Sequence, residues 1–193
     1  MSELGGKAGL RDQLLRQRRK LLPEEVASRS ARLLERLIHL PAFSKARKIG
    51  SYLPIWNEVD VRTLHTGVSK QFFLPRLLDG GVLEYAAYDP FAEGQVSKGP
   101  RGILQPAADL PAVNLETLDL ILVPGVGFDP RRYRLGMGAG YYDKTFARLA
   151  QRPMTMGLGF SFQVVPVLPA DAWDIALDAV VTDETVFLTE ADT

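Results

Sequence analysis

The sequence predicts an α/β fold: a mostly parallel sheet with helices on both faces, in a Rossmann-like three-layer architecture. Two features indicate this fold. From residue 48 onward, short apolar segments of strand length alternate with segments whose apolar residues recur at helical spacing. One of them, residues 118–123, has the composition of a strand buried on both faces. The 193 residues contain no low-complexity linker, so we expect a single domain covering residues 1–193.

Two helices are predicted before the first strand. In residues 7–20, Leu14 and Leu15 belong to an apolar stripe on one side of the helix. Pro23 opens the second helix, because proline is favoured at the first helical position, and Pro41 ends it. Two further helices are predicted at residues 59–70 and 141–149.

The remaining apolar segments predict strands, several of them bounded by proline. Pro54 follows the first strand, and Pro75 is expected to end the second. The proline- and glycine-rich stretch that runs to Pro111 is predicted to be irregular, with a short element near Ile103. The predicted strands are residues 48–53, 72–74, 83–88, 118–123, 154–158, 177–182 and 185–188.

The composition excludes several classes of function. The absence of cysteine rules out disulfides, thiolate catalysis and thiolate metal sites, and it is compatible with the cytoplasm, where we expect the protein. No apolar run approaches the length of a membrane helix, so no membrane partner is expected. Zero net charge and the lack of a recognition module argue against a nucleic-acid partner.

The charges are unevenly distributed along the chain. Residues 1–48 hold twelve Lys or Arg and five Asp or Glu, which gives +7, and residues 170–193 hold seven Asp or Glu and no Lys or Arg, which gives −7. The favoured interpretation is two solvated faces that attract each other across the fold. The alternative is a basic N-terminal wall facing an anionic ligand.

The stretch of residues 134–143 combines features that hold phosphate. Three glycines at alternate positions lie between a predicted strand and a predicted helix. Glycine lets backbone N–H groups approach a ligand closely, and a helix start adds unpaired donors and partial positive charge. Arg134 can add a forked cationic donor, and Asp143 a carboxylate suited to Mg²⁺. Physical chemistry alone leaves open a plain glycine-rich turn that caps a strand.

Strand order suggests that a second acidic residue shares this site. Glu58 follows the predicted strand that ends at Leu53, and the glycine loop follows the strand that ends at Val123. Ligands of open α/β sheets bind beyond the carboxyl ends of the strands. We therefore expect Glu58 and the glycine loop at one edge of the sheet.

Residues 122–143 read L-V-P-G-V-G-F-D-x(4)-R-L-G-M-G-A-G-Y-Y-D, and this motif resembles the signature of the 5-formyltetrahydrofolate cyclo-ligase family, also called methenyltetrahydrofolate synthetases. Further blocks that resemble the family occur in order over nearly the whole chain: Lys7-x-x-x-Arg11 with Arg18-Arg19, Ser51-Tyr52-Leu53 with Asn57-Glu58-Val59-Asp60, Leu74-Pro75-Arg76, and Gln163 with Trp173-Asp174-x-x-Leu177-Asp178.

The resemblance implies an ATP-dependent cyclisation. The formyl oxygen of 5-formyltetrahydrofolate attacks the γ-phosphate of ATP, nitrogen N10 then closes onto the formyl carbon, and phosphate leaves. The products are 5,10-methenyltetrahydrofolate, ADP and phosphate. Such phosphoryl transfer needs alignment and charge neutralisation by cations, Mg²⁺ and backbone donors more than it needs a strong base.

The resemblance also implies the site residues. ATP would be bound by two basic residues of the first helix and by the glycine loop, namely Lys7, Arg11, Arg134, Leu135, Gly136, Met137, Gly138, Ala139, Gly140, Tyr141 and Tyr142. The folate would meet two residues after the first strand and the tip of the loop, namely Leu53, Glu58, Met137, Gly138, Ala139, Gly140 and Tyr141. Mg²⁺ would be held by Asp143 and Asp178. Both substrates are small molecules, and a monomer is expected.

Plainer interpretations stay open for several of these residues. Lys7 and Arg11 lie four apart and also fit an exposed basic helix face. One of the two adjacent tyrosines fits simple core packing, and Asp178 fits a solvated turn. The chain departs from the family where members often carry Gly or Lys, at Ala139, and where they often carry Glu, at Gln105.

Two alternative functions remain at this point. One is a nucleotide- or folate-binding protein without turnover. The other is an enzyme of similar layout that acts on a sugar phosphate or a CoA ester. The presence of all the acidic and basic site residues together favours the cyclo-ligase over the binding protein, and the absence of an acid/base carboxylate in a CoA-transferase-like motif disfavours the other enzyme.

Overall fold

The computed structural model describes residues 6–189. Five α-helices occur in this part of the chain: α1 (Gly6–Arg19), α2 (Pro23–Ile38), α3 (Pro41–Lys45), α4 (Arg62–Gly67) and α5 (Tyr141–Phe146). Twelve strands accompany them: β1 (Lys48–Gly50), β2 (Gln71–Leu78), β3 (Val82–Tyr88), β4 (Val96–Lys98), β5 (Leu104–Pro106), β6 (Ala112–Val113), β7 (Leu120–Pro124), β8 (Gly127–Phe128), β9 (Arg134–Leu135), β10 (Met154–Leu158), β11 (Ala179–Val181) and β12 (Val186–Leu188).

Eight of these strands form one sheet in the order β12-β11-β10-β7-β1-β2-β3-β6. Strands β11, β10, β7, β1 and β2 are mutually parallel and occupy its centre. Strands β12, β3 and β6 join antiparallel toward the two edges. The predicted α/β fold with a mostly parallel sheet is therefore confirmed.

Alternate residues of the central strand β7 point into two separate cores. Leu120 and Leu122 pack with the first apolar cluster, and Ile121 and Val123 pack with the second. The first cluster contains buried side chains of α2, α3 and α4, and the second contains Phe146 of α5. Helices thus cover both faces of the sheet, as the nearly continuous apolar sequence of β7 requires.

The prediction that Pro75 ends the second strand was wrong, because β2 continues through it to Leu78. Pro75 lies opposite Tyr85 of β3, whereas β1 pairs with β2 only as far as Phe73. Beyond Phe73, β2 therefore has a sheet partner on one side only. Proline lacks an N–H donor and is tolerated where one side of a strand needs no ladder bond.

Two helices are shorter than the periodicity predicts. Helix α4 starts at Arg62 rather than residue 59, because the preceding segment is drawn into the core and the backbone N–H of Asp60 donates to Ser30 Oγ at 2.9 Å. Helix α5 stops at Phe146, after which the chain continues in tight turns with three-residue hydrogen bonds, such as Leu149 N–H to the Phe146 carbonyl at 3.2 Å.

The stretch predicted to be irregular contains more order than the sequence indicates. Strands β4 and β5 form a hairpin in which Val96 lies opposite Pro106. The hairpin includes the region near Ile103 where a short element was predicted. Strand β6 then pairs with β3 at the edge of the main sheet. Because the glycine and proline residues lie mostly between these short strands, local composition hid the pairing.

The basic N-terminal and acidic C-terminal segments meet in the structure. Arg29 and Arg32 of α2 both form salt bridges with the buried carboxylate of Asp183, at 2.8 and 3.2 Å. The attraction across the fold that the charge distribution suggests is therefore present. Within the described residues, no helix combines the length and the apolar character that crossing a membrane requires.

Candidate active site

A cleft of about 390 Å³ opens beyond the carboxyl ends of β1 and β7. Its walls come from α1, from the segment after β1, from β2, from the β4–β5 hairpin and from the glycine loop. This is the sheet edge at which ligands of α/β folds bind. Every residue predicted for the site except Asp178 lines this cleft: Lys7, Arg11, Leu53, Glu58, Arg134, Leu135, Gly136, Met137, Gly138, Ala139, Gly140, Tyr141, Tyr142 and Asp143.

Asp178 lies elsewhere and corrects the predicted metal pair. Its carboxylate accepts hydrogen bonds from the backbone N and Oγ of Thr155, both at 2.8 Å, and from Arg152 at 2.8 Å. Asp178 directly precedes β11, so it lies at the amino end of that strand, next to the amino end of β10. The cleft is at the opposite, carboxyl end of the neighbouring strands. The structure does not bring Asp143 and Asp178 together.

The glycine loop holds a guanidinium that is only partly satisfied. Arg134, whose side chain is 4% exposed, donates through Nη2 to Asp143 Oδ2 at 2.7 Å and lies over the ring of Tyr142 at 5.1 Å. Its Nη1 is buried and has no hydrogen-bond partner among the described residues. A buried charged donor without a partner is costly, so this atom offers a binding position for an anionic group.

Only two of the three loop glycines are required by the backbone. Gly138 and Gly140 have φ values of 100° and 67°, in the left-handed region where other residues are strained. At Gly138 a Cβ would also lie 3.6 Å from Cζ of Arg11, whose Nε donates to the carbonyl of Gly136 at 2.8 Å. The loop thus keeps its shape through two glycines and a bond from α1. Because α5 has only six residues, the predicted contribution of a helix start is small.

Lys7 is held at the cleft wall by two carboxylates. Its ammonium group forms salt bridges with Asp171, at 2.5 Å, and with Asp174. Burial lowers the pKa of Lys7, but the hydrogen bonds and charges of both aspartates outweigh this effect and raise the pKa overall. Lys7 therefore stays protonated at the cleft wall, paired with these two aspartates.

Glu58 supplies a buried carboxylate to the same cleft. The residue is 9% exposed, its Oε2 accepts from the backbone N–H of Ile55 at 3.1 Å, and its Oε1 lies 3.6 Å from Nη2 of Arg18. Burial raises the pKa of Glu58 to about 7, against the opposing charge of Arg18. The neighbouring cleft wall is apolar and includes Leu53 and Leu74.

Four large apolar side chains remain exposed around the cleft. They are Trp56, Leu104, Met137 and Trp173, with exposed fractions between 42% and 71%. Arg19 lies over the ring of Trp56 at 5.8 Å. Exposed apolar groups concentrated at one cleft indicate a ligand-binding surface, and aromatic rings suit a flat ligand.

A comparison with protein families identifies this arrangement. A model of the 5-formyltetrahydrofolate cyclo-ligase family matches residues 4–183. The chain belongs to this family. The assignment confirms the resemblance inferred from the glycine loop and the blocks around it, and it confirms that the protein is a member of a family of ligases.

Known members of the cyclo-ligase family resemble the chain over most of its length. It is similar to the 5-formyltetrahydrofolate cyclo-ligase of Mus musculus, with 32% identity over 190 residues that cover 92% of this chain and 94% of the relative. The corresponding protein of Escherichia coli is 31% identical over 182 residues, covering 90% of this chain and 99% of the relative.

Solved structures of the cyclo-ligase family agree with the fold. The structure of the Aquifex aeolicus 5,10-methenyltetrahydrofolate synthetase superposes with a TM-score of 0.83 at 36% identity, covering 95% of this chain and 93% of the other. The 5,10-methenyltetrahydrofolate synthetase from Mycoplasma pneumoniae superposes with a TM-score of 0.74 at 26% identity, covering 92% of this chain and 98% of the other.

Three residues of the acidic C-terminal segment line the cleft although the sequence did not predict them as site residues. Asp171, Trp173 and Asp174 all line the cleft, and Asp171 and Asp174 pair with Lys7. The sequence does contain one indication of Asp174: it lies four residues before Asp178, in the same block that resembles the family. No group of three or more Asp, Glu or His side chains suited to a metal ion occurs in residues 6–189.

Proposed function

We propose that the protein converts 5-formyltetrahydrofolate and ATP into 5,10-methenyltetrahydrofolate, ADP and phosphate. The observation that carries this proposal is one cleft with two kinds of lining, which we call its basic end and its apolar end. The basic end is the unsatisfied guanidinium of Arg134 with Arg11 and Lys7, which line the same cleft. The apolar end is the buried carboxylate of Glu58 with apolar lining residues such as Leu53 and Leu74. A polyphosphate and a reduced pterin require these two environments, and the reaction requires them side by side.

The basic end would bind the phosphates of ATP. Nη1 of Arg134 is buried and lacks a partner within the described chain, so a phosphate oxygen would satisfy it. Arg11 is fixed by its bond to the Gly136 carbonyl, which leaves the terminal nitrogens of its guanidinium beside Gly138. Lys7 is protonated and would exchange part of its pairing with Asp171 and Asp174 for the phosphates.

The apolar end would bind the pterin. Glu58, as a carboxylate, accepts hydrogen bonds from N–H donors on the pterin ring. Leu53 and Leu74 would pack against the ring, and Trp56 would cover it at the mouth of the cleft. The tip of the glycine loop, Met137 to Tyr141, lines the same cleft and would contact the formyl group, as the family resemblance implies.

The chemistry would then depend on alignment and charge. The formyl oxygen is a poor leaving group until it has taken the γ-phosphoryl group from ATP. N10 then attacks the formyl carbon, loses its proton, and phosphate departs. Arg134, Arg11 and Lys7 would neutralise the charge that develops on the transferred phosphoryl group, and the apolar wall would keep water from competing with the formyl oxygen.

We propose that Mg²⁺ is held by Asp143, with Asp174 nearby in the same cleft. Both residues line the cleft, and the backbone N–H of Ile175, next to Asp174, donates to Asp143 Oδ1 at 3.3 Å. Oxygen ligands suit Mg²⁺, which commonly uses one or two carboxylates together with substrate phosphates, so a larger acidic cluster is not needed. When bound, the ion supplies charge neutralisation on ATP.

We also propose that the protein works as a monomer in the cytoplasm, on these two small molecules, without a nucleic-acid or membrane partner. One chain supplies both ends of the cleft, which supports action as a monomer. The formal net charge of zero produces no long-range attraction for a polyanion. Sedimentation of the purified protein at micromolar concentration tests the monomer.

The function is tested by mixing the protein with Mg-ATP and 5-formyltetrahydrofolate and following the near-ultraviolet absorbance of the methenyl product together with ADP. We expect one methenyl product for each ADP, and no product when ATP is omitted. ADP without methenyl product would indicate another acceptor. Binding of both substrates without either product would favour a binding protein without turnover.

A further inference from the structure

We propose that Arg18 is a positioning residue for the folate: its buried guanidinium favours the carboxylate form of Glu58 and fixes the two loops whose carbonyls it binds. Arg18 does not line the cleft itself, so it acts through Glu58 and these loops. The inference rests on the proposed function, because it takes Glu58 to be the acceptor for the pterin.

The position of Arg18 is unusual for an arginine. The residue lies at the end of α1 and is 1% exposed, which makes it one of the most completely buried side chains described. Its Nη1 donates to the carbonyl of Gly125 at 2.9 Å, and its Nε donates to the carbonyl of Trp56 at 3.1 Å. A buried charge costs several kcal/mol unless it is paired, on the order of magnitude seen for ions in proteins, so a specific partner is expected.

That partner is Glu58. Nη2 of Arg18 lies 3.6 Å from Glu58 Oε1 and is buried, and it has no other hydrogen-bond partner among the described residues. At 3.6 Å the pair is an electrostatic contact rather than a short hydrogen bond. The carboxylate is therefore stabilised by the guanidinium while Glu58 keeps hydrogen-bonding capacity for a ligand.

The two carbonyls that Arg18 binds belong to two different segments that line the cleft. Trp56 lies in the loop after β1, and Gly125 follows β7. The loop is strained, because Trp56 and Asn57 have φ values of 47° and 59°. Asn57 of this loop in turn binds the end of α1 and the residues after it, because its Nδ2 donates to the carbonyl of Arg18 at 3.2 Å and to that of Leu21 at 3.0 Å. The end of α1 thus holds a strained loop in the conformation that presents Glu58.

The charge balance around Glu58 gives Arg18 a second, measurable effect. The groups that face Glu58 are Arg18 from α1, Tyr52 from its own segment and Tyr142 from α5. Burial raises the pKa of both tyrosines, which leaves Arg18 as the cation among these groups. Without Arg18 the pKa of Glu58 would rise further above 7, and the carboxyl group would be protonated at neutral pH.

The test compares Arg18→Met, which removes the charge, with Arg18→Lys, which keeps it but cannot reach both carbonyls and the carboxylate. Arg16→Met is the matched control, because Arg16 is an exposed arginine of the same helix. For each protein we would measure KM for folate, KM for ATP and kcat from pH 6 to 9. Binding of 5-formyltetrahydrofolate would be followed in parallel by tryptophan fluorescence, since both tryptophans line the cleft.

We expect Arg18→Met to raise KM for folate about tenfold at pH 7, the scale of one lost charged interaction, with KM for ATP nearly unchanged. The defect should shrink toward pH 9, where Glu58 ionises again without help. Arg18→Lys should keep the pH midpoint of folate binding close to that of the unmodified protein, and Arg16→Met should resemble it throughout.

A double-mutant cycle separates positioning from general packing. In a Glu58→Gln background, Arg18→Met should raise KM for folate by a clearly smaller factor, because the charge pair is already gone and only the bonds to the Trp56 and Gly125 carbonyls are left to lose. An equal fold-change in both backgrounds, or equal changes in both KM values, would overturn the proposal. If Arg18→Met fails to fold, KM for folate and KM for ATP measured on Arg18→Lys test the proposal instead. If neither variant folds, the role of Arg18 is purely structural and the proposal is overturned. Loss of all cyclisation by the unmodified protein would instead reject the proposed function.

Discussion

Arg134 donates through Nη2 to Asp143 Oδ2 at 2.7 Å, while Nη1 of the same guanidinium is buried without a partner in the described chain. The carboxylate therefore orients the arginine, and the arginine keeps one charged donor for the ligand. The two residues are nine positions apart, with the glycine loop folded between them. Substitution of either residue should disturb the phosphate end of the cleft and leave the pterin end intact.

Asp143→Ala should abolish Mg²⁺-dependent turnover while the protein stays folded. The variant removes the proposed metal ligand and releases Arg134, and neither group supports the apolar core. Turnover at increasing Mg²⁺ and circular dichroism of the fold are the measurements. Asp178→Asn is the control, because Asp178 pairs with Arg152 and Thr155 outside the cleft. It should lower the melting temperature somewhat without changing the Mg²⁺ dependence. Turnover at the unmodified rate in Asp143→Ala would remove Asp143 from the site.

Arg134→Met should raise KM for ATP by about tenfold to a hundredfold, the range expected for one or two charged hydrogen bonds, with a smaller effect on folate binding. Arg148→Met is the matched control, because Arg148 is an exposed arginine on the turn after α5. It should leave KM for ATP and KM for folate unchanged. Initial rates at varied ATP give the answer. An unchanged KM for ATP in Arg134→Met would show that the buried Nη1 is not a phosphate donor.

Glu58→Gln should raise KM for folate by about tenfold or more at pH 8, where the unmodified residue is a carboxylate. Glutamine has nearly the same shape but accepts hydrogen bonds more weakly and carries no charge opposite Arg18. KM for ATP should stay within about twofold, since the proposed function assigns Glu58 to the pterin and not to the phosphates. Equal KM values for folate in both proteins would exclude Glu58 from the pterin site.

Folate binding should strengthen as the pH rises through about 7. Burial raises the pKa of Glu58 from 4.5 to about 7, so below this pH the group is protonated and has lost the charge that attracts pterin donors. Above it, the carboxylate is complete. Dissociation constants measured from pH 5.5 to 8.5 should follow one titration with a midpoint near 7, and Glu58→Gln should remove that titration. A profile with the same midpoint in both proteins would assign the titration to another group.

The sequence predicted some strand bounds correctly and others not. The strand at residues 154–158 was predicted with the bounds that β10 has, because every residue in it is apolar or small and flanking residues break the pattern. The continuation of β2 through Pro75 was not, because it depends on β1 ending beside Phe73. The residues around Pro75 do not indicate where the neighbouring strand ends.

The predicted metal pair failed for a related reason. The predicted strand at residues 177–182 contained Asp178, whereas β11 begins at Ala179. Asp178 thus precedes its strand and faces Thr155 at the amino ends of β10 and β11. Asp174 belongs to the loop that crosses to the cleft and reaches Lys7. An error of two residues at a strand boundary therefore placed Asp178 inside the strand instead of before its amino end.

Sequence by itself determined the α/β class, the family and the glycine loop, because each of these depends on local periodicity or on residue types at fixed spacing. Tertiary structure alone decided which acidic residues share the cleft, since Lys7 meets Asp171 and Asp174 across more than 160 positions of chain. It also decided the burial of Glu58, which raises the pKa of that carboxyl group to about 7 against the charge of the neighbouring Arg18. Both depend on distance and solvent exposure, and these exist only once the chain has folded.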